Sequence, residues 1–435
     1  MKLKRAVSVI IILVSLCSLM TGCFDKKEVD ELGYVIALGL DKGKTNYLKL
    51  TFQIAKPHAG GESGGGGGGG GGEPPYSNIT VEAPSIYAGI NMANTFTSKQ
   101  INLSHNKVVV FSEELAREGL EAYLHALLRG REFRPSMYMV VSRNSAEEYL
   151  KGVKPELVLN PSKYYELAFQ SYSYTGLIPN SQFHDFYKYS ESLYKDPVAI
   201  LGGIGSFKSS DDFSVEKSTF RERGHKVPIG GDFFAGTVTK TGGVDTENMG
   251  LAVFNGDKMV GEMDGTDSKY LLLATGEYGH AYWTIPDQKE EGKFVLLDIK
   301  QSRRPQHKVK LVDEKPYIDV KIILEADILS IQSTVDYEQG ELTNLLEKYV
   351  EELIGKEMHR FLEKTSKDFN SDICGFGSYA KKYFLTWKEW EKYNWKSKYK
   401  DATFNVDINL KIRRPGLILK TLPSVGSEGT EENDK

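Results

Sequence analysis

Cysteine is nearly absent. Three cysteines in 435 residues, at positions 17, 23 and 374, exclude a disulfide-stapled fold, and a chain of this length buries enough core to need none. Histidine is scarce as well: the eight are scattered, with no H-E-x-x-H or other metal-ligand spacing. No Walker motif is present, and no Cys–His or Ser–His arrangement marks nucleophilic chemistry. Acidic pairs are plentiful, but sequence alone does not set two carboxylates across a cleft. Positive charge is in deficit. The whole chain carries −4, and its first 22 residues hold three positive charges and no acid, which leaves −7 for the remainder. That balance argues against nucleic acid as a partner, since phosphate binding needs a basic surface. The small group Arg129, Arg131 and Arg134 reads as a solvated face or a set of ion pairs. These absences remove the signatures of enzymes and cofactors and leave a binding or scaffold protein.

What is present begins at the amino terminus. Lys2, Lys4 and Arg5 precede an uncharged run from Ala6 to Met20. A positive start, an apolar middle and small residues at the exit make an export leader. The run is short for a membrane span, which needs about 20 apolar residues. It ends Leu19-Met20-Thr21-Gly22-Cys23, a resemblance to the bacterial lipobox, in which the cysteine is alkylated with diacylglycerol and becomes the first residue after cleavage. Residues 1–22 are therefore expected to be a signal peptide, and Cys23 a lipid attachment site tethering the chain to the outer face of a membrane. A retained, uncleaved anchor and the buried start of a cytosolic protein stand beside it as rival readings. With Cys17 removed and Cys23 lipidated, Cys374 has no intramolecular disulfide partner.

Periodicity predicts an α+β chain of three mixed α/β domains, with mostly antiparallel or mixed sheets and packed helices. The first spans 23–196. It opens with a hairpin, "GYVIALGLD" and "NYLKLTFQIA" around "KGKT". A glycine-rich loop at 60–75 follows, whose matches to G-x-G-x-x-G and G-x-S-x-G are products of low complexity. Beyond it "SNITVEA", "NKVVVFS" and "SMYMVVSR" read as strands. A helix with proline in its first turn is expected over "PSIYAGINMANTF", and another is expected from Ser112 through Leu128. A middle domain, 197–278, holds "VAILGGIGSF", "FAGTVTK" and "LAVFNGDKMVGEM" as strands, the last turning at Asn255-Gly256-Asp257, then a helix near 266–275. The C-terminal domain, 279–415, has strands at "HAYWTIP", "KFVLLDIKQSRR", "HKVKLVD", "YIDVKIILEADILSIQS" and "ATFNVDINLKIRR". Its long helix, 341–369, carries an apolar stripe at Leu342, Leu346, Tyr349 and Leu353. The remainder, 416–435, is a loose acidic tail.

One stretch is compositionally odd. Residues 164–194 hold seven tyrosines and three phenylalanines. Packing of two helices into the core accounts for such a run, and an interface does too, because a rigid ring buries much area at low entropic cost. Tyr172, Tyr174, Tyr187 and Tyr189 are the candidate interface residues.

In combination these residues resemble the Ger(x)C spore germination lipoproteins. The likeness runs over nearly the whole chain after Cys23. It rests on Cys23, Phe24, Asp25, Glu28 and Leu32 with "ALGLDKG", on "AVFNGDKMVGEM" (252–263), on "SDICGFGSYAKKY" through Asp372, Gly375, Phe376 and Gly377, and on "VDINLKIRRPG". Phe24 replaces a usual tryptophan, Cys374 a usual phenylalanine, and "GTDSKY" a usual Glu-Thr-Arg-Gly stretch; the glycine run is an insertion. The resemblance implies a three-domain α+β lipoprotein without catalysis or cofactor. It further implies anchoring at the outer surface of the spore inner membrane and assembly with two polytopic membrane subunits into a nutrient germinant receptor. A solute-binding lipoprotein of a transporter and an extracytoplasmic hydrolase are the alternatives.

Overall fold

The computed structural model describes residues 2–18, 28–45, 47–56, 75–155, 157–158, 160–205, 219, 223, 230–238 and 240–416. Cys23, residues 417–435 and all but the last residue of the glycine-rich stretch 60–75 lie outside these. Helix α1 (Lys2–Ser18) is exposed through residues 3–15. No helix among the described residues is long and apolar enough to cross a membrane.

The first sheet starts as the hairpin pattern predicts. Strands β1 (Leu32–Lys42) and β2 (Leu48–Ala55) pair antiparallel, and β3 (Tyr76–Ala83) adds to β2. Helix α2 (Ile86–Asn94) begins at Ser85, whose hydroxyl accepts from the Ala88 amide at 3.2 Å. Pro84 thus precedes the cap instead of sitting in the first turn. Short β4 (Gln100–Asn102) lies beside the start of β1, and β5 (Val108–Ser112) continues along the same edge.

The single helix expected after Ser112 is two, α3 (Glu113–Glu118) and α4 (Glu121–Arg129). Gly119 separates them at φ +127°, a backbone state that costs an L side chain heavily. Next come β6 (Tyr138–Ser142), α5 (Ala146–Gly152), α6 (Pro161–Gln170), α7 (Tyr172–Thr175) and α8 (Phe183–Ser190). Strands β1, β5 and β6 run parallel, and β5 and β6 are buried on both faces, which explains their unbroken apolar sequences. Val109, Phe111, Met139 and Val141 pack in one core with Leu115 of α3, Leu124 of α4 and Phe186 of α8. Val108, Val110 and Val140 point the other way, to Leu150 of α5 and Phe169 of α6.

The sheet does not stop at residue 196. Strand β7 (Val198–Ile204) pairs parallel with β6, and β8 (Thr246–Asn255) and β9 (Lys258–Met263) extend it antiparallel. The order is β3-β2-β1-β5-β6-β7-β8-β9. The strands expected to form a middle domain over 197–278 are thus the far half of the first sheet. The cause is β7, whose central residues are buried and which needs a partner on each edge. The segment "FAGTVTK" is not a strand over its described residues. The Glu247 carboxylate takes the amides of Gly236 and Val238 at 2.6 and 3.2 Å, so they have no ladder partner to offer.

Helix α9 (Gly265–Thr275) is buried from Asp267 to Ala274 and joins one core with both sheets. The second sheet follows: β10 (His280–Pro286), β11 (Phe294–Gln301), β12 (Gln306–Val312) and the 17-residue β13 (Lys315–Ile331). β12 and β11 pair in turn along one edge of β13, and β14 (Thr403–Arg414) runs parallel along the other. β13 alternates buried and open positions, and α10 (Gly340–Glu363) lies against β14, where Glu351 and Glu347 take the Leu410 and Ile412 amides, and adds Leu346, Val350, Ile354 and Met358 to the same core. A π-helical turn, 364–368, extends α10 nearly to the expected end at 369. Short helices α11 (Gly377–Ala380), α12 (Trp387–Tyr393) and α13 (Trp395–Tyr399) lead into β14. The fold is α+β, with mixed sheets and packed helices.

Candidate functional site

Two clusters of buried charged side chains lie where the two sheets meet. The first is built on the "SDICGFG" motif. Asp372 is 1% exposed, and its carboxylate accepts the amides of Gly375, Phe376 and Gly377 at 2.7, 3.0 and 2.8 Å and the Trp395 indole N–H at 2.9 Å. The glycines belong here for steric reasons. Gly375 has φ +79°, and a Cβ on Gly377 would stand 2.7 Å from both Trp395 Nε1 and the Tyr194 carbonyl. Cys374 is buried in the same turn, and burial pushes its thiol well above the ordinary range.

The turn is stitched to the first sheet. The Asp372 amide donates to Asp196 at 3.1 Å, and the Asp196 amide donates to the Asp372 carbonyl at 2.9 Å. Asp196 also accepts the Gly256 amide from the β8–β9 turn and the Lys396 ammonium, at 2.9 and 2.6 Å. Ser371 donates to the Phe254 carbonyl at 2.6 Å. Burial pushes Asp372 up to about 6 against the pull of its backbone donors, and burial likewise raises Asp196 despite Lys396.

The second cluster is centred on Arg223. Its guanidinium meets Asp232 at 3.3 Å, Asp267 at 3.0 Å, Glu357 at 3.0 Å and Asp264 at 2.6 Å. Asp264 caps α9, accepting the Asp267 amide at 2.8 Å, and takes the Thr219 hydroxyl at 2.6 Å. Arg360 closes the ring onto Asp267 and Glu357 at 2.7 and 3.0 Å. All four acids and Arg223 are buried. Burial works against the charge on Arg223, but Asp267 and Asp264 outweigh it and hold its pKa above the ordinary value. Burial and then Asp267 raise the Asp264 carboxyl. The acids sit at the amino end of α9, where the helix dipole favours negative charge. One turn along, burial lowers Lys269 to about 8; its ammonium donates to the Tyr282 carbonyl at 3.1 Å and stands 4.8 Å from the Trp283 ring centre.

The ring fixes α9 to α10, and the knot fixes the 371–377 turn to the first sheet. Among the described residues no group of three or more His, Cys, Asp or Glu is placed to hold a metal. The candidate tyrosines do not make one face. Tyr172 packs between the cores, and Tyr174 is 52% exposed. Tyr187 turns to α4, 5.9 Å from the His125 ring, and donates to Glu191 at 2.8 Å. Tyr189 lies under Lys195, 4.1 Å away. Of the rest of that stretch, Tyr165, Phe169, Phe183 and Phe186 are core. Sequence reading missed Asp196, Arg223, Asp232, Asp264, Asp267, Glu357 and Arg360. The Asp264-x-x-Asp267 spacing before an apolar run is a helix-start signal that marks two of them; Arg223 has no local signal.

Two family models match the chain. "Spore germination protein N-terminal domain" matches residues 25–202, and "Spore germination B3/ GerAC like, C-terminal" matches 249–416. The putative spore germination protein YfkR of Bacillus subtilis (strain 168) is 23% identical over 430 residues, spanning 97% of this chain and all of that one. Spore germination protein KC of the same organism is 25% identical over 445 residues, spanning 95% and 97%. A crystal structure of the GerBC protein matches with a TM-score of 0.49 at 16% identity, over 86% of this chain and 96% of that one. The Asp196–Asp372 knot joins the two matched segments, whereas Arg223 falls between them.

Proposed function

The chain belongs to the Ger(x)C family of spore germination proteins, and from that premise we propose that it acts as a lipid-anchored subunit of a nutrient germinant receptor. The anchor is Cys23. The observation that carries the reading is the position of that cysteine: the first matched segment begins two residues after it, at residue 25, and an apolar leader ends just before it. A single acyl chain binds a bilayer only reversibly, so two or three chains on one sulfur make the attachment lasting. The body then sits on the outer face of the spore inner membrane, against two polytopic membrane subunits, with Tyr174 and Tyr189 among the contacts offered. Its part is coupling or scaffolding, and no catalytic step or cofactor is assigned to it. The rival reading, a solute-binding lipoprotein, calls for two lobes that hinge. The buried ring and knot span the junction where such a hinge would lie, and this favours a body that moves as one.

Cys23→Ala tests the anchor and the assembly together. The expected result is an unprocessed or released protein that no longer co-purifies with polytopic membrane proteins. Mass spectrometry of the parent should find diacylglycerol on residue 23 as the first residue. A parent with a bare thiol, or a variant that is cleaved and retained at the parent's level, would overturn the reading.

A further inference from the structure

We propose that the segment 379–392 is a bilayer-contacting surface that docks on anionic lipid. It follows the knot at 371–377 and gathers four exposed large apolar side chains within nine residues, among them Leu385, the most exposed in the second half of the described residues. Leu385 is 96% exposed, Trp387 54%, Tyr383 48% and Tyr379 40%. Leu385 and Trp387 project from the start of α12, a turn held rigid by reciprocal capping between Thr386 and Glu389. A rigid tip that ends in a leucine and an indole matches the boundary between headgroups and acyl chains, where amphipathic rings settle.

Charge selects the partner. The chain as a whole is acidic, yet residues 381–400 hold seven lysines against two glutamates. One of those glutamates, Glu389, is used in the cap. Lys396 and Lys398 are paired with Asp196 and Glu314, whereas Lys382 and Lys388 form no ion pair among the described residues; Lys392 acts on Glu314 only at a distance, and Lys381 lies over the Tyr194 ring at 3.3 Å. Lysines ringing exposed aromatic and aliphatic side chains complement a negative lipid surface.

Topology places this face toward a bilayer. Strands β1, β5, β6 and β7 are parallel, so the starts of β1 and β7 lie at the same end of the sheet. Tyr194, under Lys381, lies four residues before β7; Glu28, five residues after Cys23, lies four before β1. The two starts are three strand spacings apart, about 15 Å. The placement rests on the lipid-anchored reading above, while the chemistry of the surface does not.

The test separates the two. The full-length chain is reconstituted from detergent into vesicles, where its apolar first segment or its lipid retains it whatever the patch does. The vesicles are phosphatidylcholine with a minority of phosphatidylglycerol, with or without brominated acyl chains, which quench a tryptophan that enters the boundary. Of the four tryptophans, Trp283, Trp390 and Trp395 are buried, so Trp387 is the reporter. The expected result is a loss of about a quarter of the emission, one ring in four, in brominated anionic vesicles. That loss vanishes in Trp387→Phe and in pure phosphatidylcholine. Lys382→Gln, Lys388→Gln and Lys392→Gln together should shift docking by on the order of a hundredfold, about fivefold per charge. Equal emission with and without bromine overturns the proposal. So does a Trp387 shielded from aqueous iodide only in native membranes, which would mean that a protein covers the face. A bare Cys23 with a quenched Trp387 sinks the anchor and leaves this inference standing.

Discussion

The two buried clusters solve one problem in opposite ways. In the knot, Asp372 is satisfied chiefly by backbone amides three to five residues ahead of it. In the ring, Arg223 reaches carboxylates 41 and 134 residues away. Amide donors arrive with the turn itself and ask no other charge to be present. An ion ring is only as good as its members, because each charge left alone in a low dielectric is costly. The knot is therefore a local device that secures a distant contact, whereas the ring closes only when segments far apart in the chain, around residues 223, 264 and 357, come together. If the comparison is right, removing one member damages the ring more than the knot.

Arg223→Met should produce the larger loss. It leaves Asp232, Asp264, Asp267 and Glu357 buried with Arg360 as the main remaining cation, and breaking such a network from one side costs about 3–5 kcal/mol. Chemical denaturation read by tryptophan fluorescence measures it. The loss should shrink on acidification, because the stranded carboxyls then take up protons and cease to repel. A loss below about 1 kcal/mol, the range of an exposed pair, would break the comparison.

Asp372→Asn should cost less, about 2–3 kcal/mol, because one carboxylate oxygen is replaced by an NH₂ that faces donors. The pH dependence sharpens the point. Burial raises Asp372 from 3.8 to about 6 in the folded state, so the fold holds this proton more tightly than the unfolded chain does. Its contribution to stability therefore falls as pH rises from about 4 to 6 and is flat above. The asparagine variant lacks that slope, so the gap between parent and variant should narrow across that window. Urea midpoints at a series of pH values check it, and a gap independent of pH would place the proton elsewhere.

The same contrast explains what the sequence made legible. Elements whose periodicity is local were readable. The β8–β9 hairpin, the strands of the second sheet and the stripe of α10 occur where expected, whereas the "SDICGFG" segment stood out only through its resemblance to a family motif, and its Asp372-centred turn was not read. Joins were not readable. That β7 pairs with β6 depends on a partner 60 residues earlier, and a run such as "VAILGGI" is equally apt to found a new sheet. That α9 is buried on all sides depends on two sheets closing over it. Nothing local in "GTDSKY" marks Lys269 and Asp267 as buried; the partners that make them so, Trp283, Arg223 and Arg360, lie elsewhere in the chain. Arg223 itself comes from a polar stretch with no periodicity.

The smallest expected effect belongs to a region tied to neither cluster. Strands β2 and β3 are antiparallel neighbours to their very ends, with Ala55 opposite Tyr76 and the Lys56 amide donating to the Pro75 carbonyl at 2.9 Å. The ladder thus closes the glycine-rich loop whatever its length, and the only term left is the entropy of bringing the ends together. That entropy changes by about 0.6 kcal/mol for each halving of length. Deleting half of residues 60–75 should therefore raise stability by about that amount, visible as a slightly higher urea midpoint with an unchanged slope. A fall of more than about 1 kcal/mol would mean that the glycines contribute contacts of their own. The contrast would then have to include a third region whose partners, like those of Arg223, are far away in the chain.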